Sequence, residues 1–156
     1  MLIRRAQEKD IPRIDELLSQ VLMVHHYARP DLFKANCRKY TDEQLLEIIR
    51  DDSRPIFAAV DENDVLMGYV FCIISQHVGD NILTDIKTLY IDDLCVDENQ
   101  RGNHIGKALY DFVTDWARAR GFYNITLNVW EGNDSAKKFY EARGLGVQKT
   151  GMEMIL

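Results

Sequence analysis

Cysteine and proline are both scarce in this 156-residue chain, with three of each. The cysteines, Cys37, Cys72 and Cys95, are odd in number and far apart. No CxxC pair and no Cys/His cluster occurs, so the common metal-ligand patterns are excluded and no metal is expected. Cys72 and Cys95 fall inside apolar strand-like runs and read as buried reduced thiols, which fits a cytoplasmic location. Long apolar runs are missing too. None approaches the ~20 residues needed to span a bilayer, and MLIRRAQEKD has no apolar signal-peptide core, so no membrane association is expected. Positive charge is in deficit: 19 Lys and Arg stand against 25 Asp and Glu, a formal net charge of −6. That balance gives no electrostatic reason to bind nucleic acid, whereas a cationic small molecule would be attracted.

Hydrophobic residues make up 46% of the chain, enough for one compact domain over residues 1–156. LIRRAQ reads as a first strand. Asp10 is placed to cap a helix whose apolar positions Ile11, Ile14, Leu17, Leu18, Val21 and Leu22 have helical spacing. Pro30 breaks that pattern. Thr41-Asp42-Glu43-Gln44 is a capping-box pattern that opens a second helix. Residues 55–76 read as a hairpin around the polar turn Asp61 to Asp64. A strand over about 84–96 follows, then a helix with Ile105, Leu109, Phe112, Val113, Trp116 and Ala117 on one face. Asn124 to Trp130 reads as a strand, Asn133 to Arg143 as a short helix and GVQKTGMEMIL as a last strand. The order β-α-α-β-β-β-α-β-α-β argues for an α/β (α+β) fold with a mixed sheet.

Between the strand ending at Val96 and the next helix lies ENQRGNHIGKAL. A loop in that position offers unpaired N–H groups at the positive end of a helix dipole, which suits an anion. Glycines permit close approach, and Arg101 and Lys107 add positive charge. Neither GxxxxGK[ST] nor GxGxxG is present, so nucleotide loops of those two kinds are excluded. A plain Gly-rich turn remains the other reading of the loop by itself. In NVWEGNDSAKKFYEARG, Asn133 and Tyr140 stand seven residues apart, about two turns, on one helix face.

Taken together, LYIDDLCVDENQRGNHIGKAL and GNDSAKKFYEARGL resemble the two motifs of the GNAT superfamily of acyl-CoA N-acyltransferases. The element order matches that family over nearly the whole chain. The resemblance implies a mostly antiparallel sheet of about six to seven strands flanked by four helices. It implies transfer of an acetyl group from acetyl-CoA to an amine. Arg101, Gly102, Asn103, His104, Ile105, Gly106 and Lys107 would hold the pyrophosphate. Leu94, Cys95 and Val96 would pair with the pantetheine arm, with a nearby N–H at the oxyanion. Asn133, Ala136 and Phe139 would line the coenzyme, Phe139 having a core role as its alternative. Tyr140 would protonate the departing thiolate.

An alkyl amine titrates near ~10, so attack on a thioester needs a proton acceptor. Asp92 and Asp93 are the candidates, because aspartate is disfavoured in strands and adjacent strand residues face opposite ways. The LYIDDLCVDENQRG stretch is similar to diamine acetyltransferases, which suggests a cationic primary amine as acceptor. A protein N-terminus or lysine is the alternative acceptor, and a non-catalytic acyl-CoA-binding domain is the alternative to an enzyme. His25, His26, Tyr27 and Phe33 lie where the family shapes its acceptor pocket. His104 stands where the family has glycine, and ordinary helical dihedrals are expected there. A single C-terminal strand would leave an open sheet edge, so a homodimer is expected.

Overall fold

The structure, a computed structural model, describes all of residues 1–156. Five strands, β1 (Leu2–Arg5), β2 (Ile56–Val60), β3 (Leu66–Gln76), β4 (Lys87–Val96) and β5 (Asn124–Leu127), form one sheet in that order. The first three pairings are antiparallel, and β4 pairs β5 in parallel. Four helices complete the fold: α1 (Ile11–Ala28), α2 (Asp42–Arg50), α3 (Ile105–Ala119) and α4 (Asp134–Glu141). The chain thus has the expected mixed α/β architecture with four helices, but fewer strands than six or seven. Residues 142–156 contain no strand, and residues 146–156 make no backbone hydrogen bond.

Each sheet face carries its own apolar layer, as alternating strand side chains require. Ile14, Leu17 and Leu18 of α1 and Leu45 and Ile48 of α2 cover Ile56, Ala58, Tyr69 and Phe71. Leu109, Val113 and Ala117 of α3 cover Phe57, Val70, Cys72, Leu89 and Ile91. The Thr41 capping box forms as expected: its Oγ1 accepts from Gln44 N–H, and Gln44 Oε1 accepts from Thr41 N–H. Asp10 differs. It stands at the N-terminus of α1 without capping it, because its carboxylate instead accepts from Gln7 N–H and Arg4.

Two features position the site. A β-bulge interrupts β4: Phe71 lies opposite Asp93 and Cys72 opposite Ile91, which leaves Asp92 without a partner. The extra residue reverses the strand's facing. Leu89 and Ile91 pack under α3, whereas Cys95 packs on the α1/α2 side and Leu94 and Val96 take over the α3 side. The second feature is Gly68 of β3. A β-carbon there would lie 2.8 Å from the Cys95 carbonyl oxygen, 3.3 Å from Leu109 and 3.4 Å from Ile105. Its absence lets the start of α3 lie close against the end of β4.

Candidate active site

β4 and β5 pair only from Thr88–Asn124 to Ile91–Leu127. Beyond Ile91 the two strands part, so residues 93–96 of β4 are paired on the β3 side alone. Asp97 N–H donates to Met67 in the direction of β3. By the two-residue alternation of an antiparallel ladder, the N–H groups of Leu94 and Val96 point into the cleft. A peptide-like chain entering the cleft would find these groups unpaired, and Leu94 N–H is the donor nearest the carboxylates.

The loop leaving β4 begins at Asp97, which is 4% exposed. Its carboxylate accepts from Asn99 N–H and from Arg13 of α1, and Arg13 Nε also donates to the Leu66 carbonyl at 3.2 Å. This buried clamp sets the entry to the anion loop. From Arg101 to Lys107 no backbone N–H donates to any protein acceptor. Seven consecutive unpaired donors at the N-terminus of α3 suit a diphosphate. Gly102 has φ +86° and His104 φ +59°. His104 is therefore left-handed, against the expectation of ordinary helical dihedrals. The loop turns back on itself immediately before α3, which explains why glycine fits this position and why histidine, tolerated there more than most residues, is strained. Arg101 is exposed, Lys107 pairs with Asp111, and Ile105 at the start of α3 is buried against the sheet, so Ile105 and Lys107 offer the site their backbone rather than their side chains.

On the far side of the cleft, Asn133 Oδ1 accepts from Ala136 N–H and caps α4. Phe139 lies beside Gly106, whose missing β-carbon would approach its ring to 3.7 Å, and the Arg143 guanidinium sits 3.4 Å over the same ring. Phe139 thus wedges α4 against the start of α3. Tyr140 packs edge-on to Tyr110, with centroids 6.2 Å apart, and its hydroxyl makes no protein hydrogen bond. Burial, then the Asp93 and Tyr110 charges, push its pKa up to about 12, so it keeps its proton at neutral pH.

The bulge gives the two carboxylates different surroundings. Asp93 accepts from the hydroxyl of fully buried Tyr69 at 2.9 Å. Burial raises its carboxyl pKa, partly offset by the Tyr69 hydrogen bond and the Lys39 charge. Asp92 faces Lys39, at 3.3 Å. Above them, His25 stacks on Phe33 with centroids 5.1 Å apart, and Phe33 meets Trp130 edge-on at 5.5 Å. His26 Nδ1 lies 2.7 Å from the Phe33 carbonyl oxygen and ties this loop to α1. Tyr27 is 77% exposed and contacts only His26 among the aromatic rings, so it stands outside this wall. Trp130 and Lys39 belong to the site but gave no local signal in sequence, because loop packing alone brings them there.

The sequence matches the acetyltransferase (GNAT) family over residues 21–146. Among solved structures, a mutant of the BH1408 protein from Bacillus halodurans is 31% identical, with TM-score 0.94, over all of this chain and 99% of that one. An aminoglycoside acetyltransferase, meta-AAC0020, from an uncultured soil metagenomic sample has TM-score 0.74 at 21% identity, over 99% and 95% of the two chains. Glucosamine-6-phosphate N-acetyltransferase from Arabidopsis thaliana has TM-score 0.71 at 23% identity, over 99% and 97%. No curated protein sequence gives a match. With the cleft, the anion loop and the family match in agreement, the chain belongs to the acetyltransferase (GNAT) family and is an acetyl-CoA-dependent N-acetyltransferase.

Proposed function

We propose that the cleft transfers an acetyl group from acetyl-CoA to the primary amine of a cationic small molecule, a polyamine being the leading candidate, within a ternary complex. The observation that carries this reading is the run of unpaired N–H groups from Arg101 to Lys107 beside a strand opening that ends at Asp93 and Tyr140. The coenzyme supplies an activated thioester. The N–H groups of residues 101–107 hold its diphosphate, and those of Leu94 and Val96 bind the pantetheine arm. Leu94 N–H donates to the oxygen where negative charge develops. Asp93, whose burial makes it a better base than an ordinary carboxylate, accepts the proton of the incoming ammonium, directly or through water. Tyr140 donates to the departing sulfur, and Ala136 and Phe139 line the arm.

His25, Phe33 and Trp130 wall the acceptor side. Contact between Phe33 and Trp130 bridges the mouth, which favours a small amine over a protein segment lying in an open groove. Two of the proteins named above are an aminoglycoside acetyltransferase and a glucosamine-6-phosphate N-acetyltransferase, so they do not single out a diamine. A cytoplasmic site of action accords with three free cysteines, and no helix is long and apolar enough to cross a membrane.

A homodimer belongs to the same reading. β5 is an open edge, and the tail exposes Met152, Met154, Ile155 and Leu156 with its backbone unpaired. A monomer mass at every concentration in solution would refute it. The enzymatic test is thermal unfolding with and without acetyl-CoA, followed by thiol release over a panel of amines. Polyamines should turn over fastest. Tyr140→Phe should lower kcat by about 100-fold or more while leaving the acetyl-CoA-induced shift in Tm unchanged; equal loss of both would exclude the acid role.

A further inference from the structure

The loop joining α1 to α2 places a primary amine of the enzyme itself on the bulge of β4. Lys39 Nζ lies 3.3 Å from Asp92 Oδ2, and the two side chains are 32% and 29% exposed. The same ammonium sits 5.3 Å from the centroid of the Tyr40 ring, and Tyr40 stacks on Phe71, the residue paired with Asp93. The loop is thus anchored through an aromatic layer, while the lysine tip is held by a half-exposed ion pair. Such a partly exposed pair is weak, so the tip is free to leave it. Asp92 has no other hydrogen-bond partner. Two residues along β4 stands Leu94, whose N–H faces the cleft.

Resting on the proposed function, we infer that Lys39 is an internal acceptor: with acetyl-CoA bound and no external amine present, the enzyme acetylates Lys39 Nζ. The Lys39 ammonium first gives a proton to Asp93, which returns it to solvent. The neutral nitrogen forms a C–N bond to the thioester carbonyl carbon as the C–S bond breaks. A second proton leaves the nitrogen for solvent, and Tyr140 protonates the departing sulfur and is reprotonated in turn. The products are an amide, coenzyme A thiol and one proton. Acetylation removes the ammonium from Asp92 and leaves both carboxylates available to an external cation. Lys39 is therefore a switch: unmodified it competes with the acceptor, and modified it opens the acidic pair.

The test is peptide mass mapping of the full chain after incubation with acetyl-CoA alone. Lys34, exposed on the same loop, is the internal control for uncatalysed acetylation. Lys39 should gain one acetyl group about 100-fold faster than Lys34, the low end of acid–base assistance. Adding a turned-over amine should suppress the modification, and Asp92→Asn should slow it by releasing the lysine from the bulge. Lys39→Gln, which mimics the acetylated side chain, should lower KM for cationic amines relative to Lys39→Arg. Equal rates at Lys34 and Lys39, or no modification in an enzyme that turns over external amines, would overturn this inference and leave the proposed function standing. No acetyl-CoA-induced shift in Tm would overturn both.

Discussion

Replacing Gly68 by alanine tests the link between sheet packing and the coenzyme site. The added β-carbon would lie 2.8 Å from the Cys95 carbonyl oxygen, a backbone atom with no rotamer to change. Carbon–oxygen contacts normally begin near ~3.3–3.6 Å, so β3 and β4 must separate by roughly half an ångström or more. Overpacking of this kind costs about 1–3 kcal/mol. For a chain of this size each kcal/mol lowers Tm by about 2–4 °C, so the expected fall is about 2–12 °C. Leu109 and Ile105 of α3 touch the same spot, and the Gly68 partner Val96 ends the strand that leads to the anion loop. The stabilisation by acetyl-CoA should therefore shrink as well. Gly106→Ala is the control: its β-carbon meets Val96 at 3.5 Å and Phe139 at 3.7 Å, ordinary contacts, within a helix that favours alanine. Calorimetry of both variants, with and without acetyl-CoA, decides the matter. A Gly68→Ala protein with unchanged Tm and unchanged ligand shift would refute the close-approach argument.

Asp93→Asn should stabilise the protein at pH 7 and lower kcat. The native Asp93 pKa lies above its unfolded value, so its penalty on folding appears as pH rises above ~4, while asparagine still accepts from Tyr69; urea unfolding at pH 7 checks the sign. Tyr140, Cys72 and Cys95 all have pKa values raised to about 12, from 10.0, 9.0 and 9.0. Their stabilising contribution is intact below pH 9 and is lost as pH rises toward 12, so Tyr140→Phe should flatten the alkaline part of a stability–pH curve above pH 10. Arg13→Ala leaves the buried Asp97 carboxylate to Asn99 alone. It should cost about 1–3 kcal/mol, with weaker acetyl-CoA binding measured by calorimetry, because Asp97 shapes the loop entry. Unaltered binding would separate the clamp from the site.

The residues that declare their own environment were legible in sequence. Helical spacing at Ile11 to Leu22 and at Ile105 to Ala117, the Thr41 box and the hairpin around Asp61 are local patterns, and the structure contains each. The strand-to-helix loop from Arg101 to Lys107 was legible as well, since its glycines fall between an apolar strand and an amphipathic helix. The tail was misread because its apolar residues look like a strand, yet a strand needs a partner and this chain provides none. The bulge was invisible because no residue type marks it; alternation across Asp92 and Asp93 suggested opposed faces, whereas pairing with β3 sets the facing. His104 was misread for a similar reason, as helix position suggested its dihedral and the preceding turn determined it. Trp130 and Lys39 stand on loops, so only the folded chain relates Trp130 to Phe33 and Lys39 to Asp92.

The bulge at Asp92 also separates what the position is from whether it exists. Many side chains could stand there, since the residue has no cross-strand partner and faces solvent on one side. Removing it would join Ile91 to Asp93 opposite Cys72 and Phe71, a regular ladder in which every later residue of β4 keeps its partner. Cys95 would stay in the layer beneath α1 and α2, and Leu94 and Val96 in the layer beneath α3. Substitution or deletion at this point would therefore spare the facing of the strand, and deletion would take away the bulge and the carboxylate that holds Lys39.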